Sequence, residues 1–174
     1  MVLGLGVTRL LIGVITVFRT RRNAQVDWLP LAWTACLFLI QLEFWWAINQ
    51  LPMTRSTYSF PDFVSLVVLT LSLFVASALI LPNRPEDESL GLRGYFETEG
   101  KFALLAIAAF GVCGFLANLY FFEAPLVSLW ALLDVPVILL PVLGFFAKHR
   151  SLQVATVSLY LPLLALDVWV SLAT

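Results

Sequence analysis

The sequence predicts an all-α fold, a polytopic bundle of transmembrane helices, and three observations support that class. Of 174 residues, 61% are hydrophobic and 12% are charged, with a mean hydropathy of +0.95. Soluble domains carry roughly a quarter charged residues, so this chain lacks the charge that a water-exposed surface needs. Apolar runs of about 20 residues recur, and the basic residues gather in alternate loops. The composition excludes a soluble enzyme and a disordered tail, and the net charge of −1 gives no basic footprint for nucleic acid.

Six apolar runs are long enough to cross the hydrocarbon core as helices. Barrel strands are excluded because they alternate apolar and polar residues over about ten positions. Residues 102–110, in contrast, are apolar on every face. The loops are short, so the whole chain, 1–174, is predicted to be a single membrane domain. The predicted spans are residues 2–18, 28–49, 63–81, 102–122, 126–146 and 152–173, with the longest loop at 82–101.

The basic residues predict the orientation. Loops one, three and five hold eight of the ten, the second loop holds Arg55, and Arg9 lies within the first span. Because loops rich in Lys and Arg stay in the cytoplasm, both termini are expected on the outer side of the membrane. The first span is expected to be retained, since a signal peptide carries its charge before the apolar run and not after it. The eight loop residues are Arg19, Arg21, Arg22, Arg84, Arg93, Lys101, Lys148 and Arg150.

Loop 82–101 is the stretch that most resembles water-exposed protein. Its acidic run, Glu86-Asp87-Glu88, is followed by Leu92, Tyr95 and Phe96, which share one face of a helical turn. This spacing predicts a short helix on the cytoplasmic membrane surface. A solvated connector fits the same residues, since two glycines weaken a helix there.

Ionisable residues inside the spans are the functional clue. Four of them fall roughly 9–12 Å below the outer ends of their spans, counted at 1.5 Å per residue. Each costs about 2.5–3.5 kcal/mol on insertion scales, so one shared layer is expected, in which they satisfy one another. Short loops make their helices neighbours, which predicts the pairs Arg9–Glu43 and Asp134–Asp167. With two amides at the same level, the predicted ligand- or ion-binding set is Arg9, Glu43, Asp134, Asp167, Gln41 and Asn118.

The layer carries more acid than base. One arginine against three acids gives a charge of −2 when all are ionised. A low dielectric disfavours that charge, so the acids are expected to stay partly protonated, to bind a cation, or to face a water-filled cavity. These outcomes predict transport or sensing of a small ligand, ion or proton. Pro136 lies two residues from Asp134, with Pro141 and Pro162 further on; broken helices are typical of transporter sites, although the same prolines fit a packing role.

An alternative interpretation makes these polar residues packing groups. Polar side chains within membranes also bond neighbouring helices, at about 0.6 kcal/mol each. That role is preferred for Gln41 and Asn118, and for the arginine–glutamate pair the two interpretations are equal. Asp134 and Asp167 lack a basic partner, which favours a functional role. The alternative predicts a non-catalytic structural or accessory subunit of a membrane complex.

Other chemistry finds little support. Cys36 and Cys113 form no Cys-x-x-Cys motif, so a packing role is expected. His149 is the single histidine and lies outside the spans, which argues against a bis-histidine haem. Asp134 and Asp167 each follow leucine, unlike the Tyr-Asp and Gly-x-Gly-Asp signatures of intramembrane aspartyl proteases. No catalytic residue and no cofactor are predicted, and a metal is left open. The expected partners are the lipid bilayer, a small ligand or cation, and a second copy or a membrane partner subunit.

Three segments carry a resemblance to a known group of proteins. They are Gly4-Leu5-Gly6-Val7-Thr8-Arg9, Gln41-Leu42-Glu43-Phe44-Trp45-Trp46 and Leu92-Arg93-Gly94-Tyr95-Phe96. Their order resembles small bacterial inner-membrane proteins of unassigned activity, which often show a Gly-x-x-x-Thr-His first helix and a tryptophan-rich second helix. The resemblance covers residues 4–102 and implies a bacterial origin. Arg9 stands where that group has histidine, which changes the charge available to Glu43.

Overall fold

The computed structural model describes residues 2–20, 26–54, 57, 59–82, 91–122, 125–126 and 128–173. Within these residues 90% are helical and there is no strand, so the predicted all-α class is confirmed. Six long helices and one short one follow along the described chain. They are α1 (Val2–Thr20), α2 (Trp28–Thr54), α3 (Phe60–Leu79), α4 (Gly91–Tyr95), α5 (Phe102–Phe121), α6 (Leu129–Phe146) and α7 (Arg150–Ala173), with a π-helical segment (Phe96–Gly100) joining α4 to α5.

Each predicted span coincides with one long helix, and four of these helices are long and apolar enough to cross a membrane. Those four stretches are Trp28–Met53, Phe60–Leu79, Phe102–Phe121 and Arg150–Val170. Helix α6 contains a shorter apolar stretch, Ala131–Phe146, and α1, which carries Arg9 and Arg19, is not among the four. The helices therefore support a membrane-embedded protein, and the count of six spans stays a prediction.

Local hydrogen bonds explain where several helices begin. At α3, Ser59 Oγ accepts from the Asp62 N–H (3.4 Å) and Asp62 Oδ2 accepts from the Ser59 N–H (2.8 Å), which is a capping box. At α6, Ser128 Oγ accepts from the Ala131 N–H. At α2, Asp27 Oδ1 accepts from the Leu29 N–H at 3.1 Å. Each cap satisfies a backbone donor that the helix itself leaves unpaired, at a gain of about 1 kcal/mol.

Helix α2 is the inner helix of the bundle. Helices α1, α3, α5, α6 and α7 each pack against the next in that order, and α2 packs against α1, α3, α5 and α7. Its buried residues recur every three or four positions, as one face of a helix requires. They are Leu29, Trp33, Leu37, Ile40 and Phe44. The outward faces of the other helices are apolar, as shown on α6 by Leu132, Leu139, Leu143 and Phe146. Such a surface suits lipid.

The loop before α5 is docked on the bundle. Gly91 starts α4 with a φ of +66°, a conformation that residues with a Cβ rarely adopt. The predicted face of Leu92, Tyr95 and Phe96 is buried against the protein, and Tyr95 Oη donates to the Leu79 carbonyl at 2.9 Å. These side chains thus contact the core and the end of α3, and a helix resting on lipid through this face is not observed.

Candidate functional site

Tyr160 on α7 is a buried residue on which charges from three helices act. Its side chain is 1% exposed, and its ring packs against Trp33 of α2 with centroids 4.9 Å apart. The carboxyl groups of Asp167, Glu43 and Asp134 act electrostatically on its hydroxyl, and so does the buried Cys36 thiol. Three of the four predicted charged residues therefore act on one buried hydroxyl.

Helical spacing explains this convergence. Cys36 and Glu43 are seven residues apart on α2, and Tyr160 and Asp167 are seven apart on α7, so each pair lies on one face two turns apart. Helices α2 and α7 pack together, and α6 packs against α7. Asp134 enters the set from α6.

The two aspartates of the predicted acidic pair lie on α6 and α7, which pack together. Asp167 is buried and Asp134 is half-buried, and the carboxylates lie close enough to repel each other. Asp134 Oδ2 is shielded from solvent and has no hydrogen-bond partner in the described part of the chain. A buried carboxylate oxygen without a partner is costly, and it is stabilised by a proton, a cation or a hydrogen-bond donor.

Gln41 faces a different interface from Glu43. Its Nε2 donates to Ser77 Oγ of α3 at 2.5 Å, and a Cβ added at Gly6 of α1 would lie 3.1 Å from that nitrogen. Two residues along a helix turn by about 200°, so Gln41 and Glu43 point to opposite sides of α2. The sequence predicts one layer, whereas in the structure Gln41 lies at the α1–α2–α3 junction and Glu43 points to the opposite side of α2.

Arg9 and Asn118 are half-buried on α1 and α5. Arg9 flanks the inward face of α1, where Gly6 and Leu10 are buried. Helices α1 and α2 pack together, which is compatible with a pair between Arg9 and Glu43. That pair stays a prediction. Asn118 lies on α5, and its carbonyl accepts from the Phe122 N–H at the end of that helix. The three span prolines lie inside helices that continue through them.

A second polar cluster joins the starts of α2 and α7. Arg150 Nη2 donates to Asp27 Oδ1 in an ion pair that is mostly buried. One turn further on α7, Gln153 Nε2 donates to the Ala147 carbonyl at 3.1 Å, and Thr156 Oγ1 donates to the Gln153 carbonyl at 2.8 Å. In the sequence, Arg150 bears only on the predicted orientation, and Asp27 is not among the predicted site residues. The available signal was an acid and a base standing immediately before two spans.

Within the described residues no three His, Cys, Asp or Glu side chains are grouped to hold a metal ion. Cys36 and Cys113 are free, and Cys36 is fully buried. His149 is exposed beside the start of α7. Comparison of the chain with protein-family models, with curated proteins and with solved structures finds no match.

Proposed function

We propose that this chain is a six-span protein of a bacterial inner membrane, with both termini on the outer side. In this proposal Glu43, Asp134 and Asp167 form a site in the outer half of the bilayer that binds a small ligand, ion or proton. Arg9 sets how much negative charge remains for that ligand. The activity is transport or sensing.

The unpartnered Oδ2 of Asp134, beside the Asp167 carboxylate, is the observation that carries this proposal. Two carboxylates in one low-dielectric place repel, and they are stabilised when a positive charge enters between them or when one accepts a proton. Glu43 on α2 adds negative charge that acts on the Tyr160 hydroxyl. Carboxylate oxygens suit a proton, a small cation or the ammonium group of a ligand.

Thermal unfolding of the purified protein tests the site. The probes are Na⁺, K⁺, Mg²⁺ and the pH itself, each varied separately. A ligand at a hundred times its Kd stabilises by about 2.7 kcal/mol, which corresponds to a rise in Tm of roughly 5–10 °C for a chain of this size. We expect Asp134→Asn to abolish the response to the active probe and Glu43→Gln to reduce it, because both retain side-chain volume and remove the charge.

Glu99→Gln is the matched control, since Glu99 is exposed in the π-helical segment and loses one negative charge in the same way. This control should respond to the probe as the wild type does. Loss of stability in both site variants, with every response to ions and pH unchanged, would overturn a binding role.

A structural or accessory role is the second candidate, and the Gln41–Ser77 bond between α2 and α3 favours it. In that case the polar residues hold helices together and the protein contributes its shape to a larger membrane complex. The two candidates differ in what the acids do: a structural subunit loses stability on Asp134→Asn, whereas a binding protein loses a ligand response.

A further inference from the structure

Helix α7 presents a buried polar face along most of its length. Its members recur at intervals of three, four and seven residues, which keeps them within one side of a helix. All but the first, which is partly exposed, are buried. They are Arg150, Gln153, Thr156, Tyr160 and Asp167. Seventeen residues of helix rise by roughly 25 Å, against a hydrocarbon thickness of about 30 Å. Ionisable residues are costly in a membrane helix and mark functional sites, and Arg150 and Asp167 stand at the two ends of this face.

Both ends of this face lie beside buried polar atoms that have no hydrogen-bond partner among the described residues. At the outer end, the atom is Oδ2 of Asp134 on the neighbouring helix α6. At the other end, Asp27 Oδ2, Arg150 Nη1 and Gln153 Oε1 are shielded from solvent and have no hydrogen-bond partner among the described residues. Asp27 and Gln153 are 9% and 8% exposed. Two acceptors and one donor in a cluster match a water molecule, which donates twice and accepts.

We propose that the proton is the ligand of the acid site and that the polar face of α7 is its route to the Asp27–Arg150 cluster. This inference rests on the proposed function of Glu43, Asp134 and Asp167. A proton from the outer side binds one of the aspartate carboxylates. It passes by way of the Tyr160 hydroxyl and hydrogen-bonded water beside Thr156 and Gln153. It then leaves from Asp27 to the cytoplasmic water, so each group returns to its starting state and no electron moves.

The close packing along the route favours a proton over a metal cation. The carboxyl groups of Glu43, Asp134 and Asp167 act electrostatically on the Tyr160 hydroxyl, and their negative charge favours an excess proton near it. Asp27 is paired with Arg150, and Arg93 on α4 adds positive charge there, which opposes any cation at that end. A proton is relayed along hydrogen bonds between packed groups, whereas a metal ion needs an open path, and Thr156, Tyr160 and Leu164 are buried.

Leu164 is the apolar position on this face, between Tyr160 and Asp167, and it is buried. These two residues are about 10 Å apart along the helix axis. The route is therefore closed at Leu164 in this conformation. Water or a small movement of α7 against α2 must bridge that gap for each proton that crosses.

Proton flux into liposomes tests the route. The full chain is reconstituted with a pH-sensitive dye inside, and a K⁺ gradient with valinomycin sets the membrane potential. We expect wild-type flux well above that of protein-free liposomes. Tyr160→Phe and Thr156→Val each remove a hydroxyl at nearly constant volume and are expected to lower the flux by about tenfold or more. Tyr120→Phe, which removes an exposed hydroxyl on α5, should leave it unchanged.

Infrared titration of the carboxyl groups separates the two proposals. If the carboxyl band changes with pH, and less so in Asp134→Asn, while wild-type liposomes conduct no protons, the acid site stands and the route is overturned. Wild-type flux in both hydroxyl variants, or flux that follows Na⁺ instead of pH, also overturns the route. Should Tyr160→Phe fail to fold, Thr156→Val alone decides. If neither ions nor pH act on the acids, the proposed function fails and the route fails with it.

Discussion

Gln41 shows how a buried amide is held in this bundle and what its bond contributes. Its Nε2 donates to Ser77 Oγ, while its Oε1 has no partner among the described residues. Ser77 Oγ donates in turn to the Leu73 carbonyl of its own helix. Ser77 keeps that bond without Gln41, but Gln41 has both amide ends unpartnered without Ser77. The pair is thus asymmetric.

This asymmetry gives a prediction for a double-mutant cycle. Ser77→Ala should lower the free energy of unfolding by about 1–3 kcal/mol, because it leaves the buried Gln41 Nε2 donor without its acceptor. Adding Gln41→Met replaces that unpaired amide by an apolar side chain of similar volume, so the double variant should regain part of the lost stability. Unfolding in mixed detergent micelles measures all four proteins. The matched control is Ser72→Ala, whose hydroxyl bonds only the Leu69 carbonyl of the same helix. Strictly additive losses would show that the pair does not interact.

Individual residues show which features of the site could be predicted from the sequence and which could not. Counting along the apolar runs predicts a common depth for Glu43, Asp134 and Asp167, because a helix rises by a fixed amount per residue, and that depth stays a prediction. The same count could not distinguish the direction of Gln41 from that of Glu43, since the neighbours around α2 were unknown. Tyr160 was not predicted as a site residue, because a tyrosine in an apolar run is typical of a packing residue. Only the three-dimensional arrangement shows that acidic side chains act on its hydroxyl.

At the scale of elements, hydrocarbon thickness fixes span length, and this is why each predicted run falls on one helix. Five of the twelve ends coincide, and the others differ by one to five residues, in part because local hydrogen bonds set them. Helix α3 begins at Phe60, three residues before its predicted span, since Ser59 and Asp62 form the capping box there. Helix α2 runs on to Thr54 with Pro52 inside it.

In the loop before α5, the structure matches neither predicted alternative in full, because the segment is helical but docks on the bundle. The i, i+3, i+4 spacing of three apolar residues was a sound signal for a helical face, but it does not say what covers that face. On the opposite face Arg93 bonds Glu97 at 2.8 Å. That hydrogen bond and the carboxylate charge raise the pKa of the Arg93 guanidinium, which stays charged on the exposed side of the segment.

Close packing of α5 on α6 is testable at two glycines of one helix. A Cβ added at Gly111 would lie 2.8 Å from Ile138 Cγ1, which is closer than such atoms approach. A Cβ at Gly114 would meet nothing within 4 Å. We expect Gly111→Ala to lower the free energy of unfolding by about 1–3 kcal/mol through overpacking. Gly114→Ala should raise it by roughly 0.5–1 kcal/mol, because alanine favours the helix. Equal effects at both positions in micelle unfolding would contradict the observed contact.

At the scale of the whole molecule, the order of neighbours could not be predicted from the sequence. Apolar residues surround the inner helix and the lipid-facing helices alike, so periodicity does not show that α2 is central. The structure shows it through the packing of α2 on four other helices. Contacts also join segments of loops one, three and five, which the charge pattern predicts to lie on the same side of the membrane. The Asp27–Arg150 pair links the starts of α2 and α7, and Lys101 lies over the Phe145 ring.

The end of the bundle that holds the Asp27–Arg150 pair lies on one side of the membrane, and that side decides the direction in which protons reach the acids. Cysteine labelling determines which side it is. Thr57 is exposed between α2 and α3, and His149 is exposed just before α7, beside the Asp27–Arg150 pair. Intact cells treated with a membrane-impermeant maleimide should label Thr57→Cys and not His149→Cys, which should react only after permeabilisation. The parent protein, whose two cysteines lie within α2 and α5, is the background control. Labelling of position 149 in intact cells would place the Asp27–Arg150 cluster outside, and protons would then reach Asp134 and Asp167 from the cytoplasm.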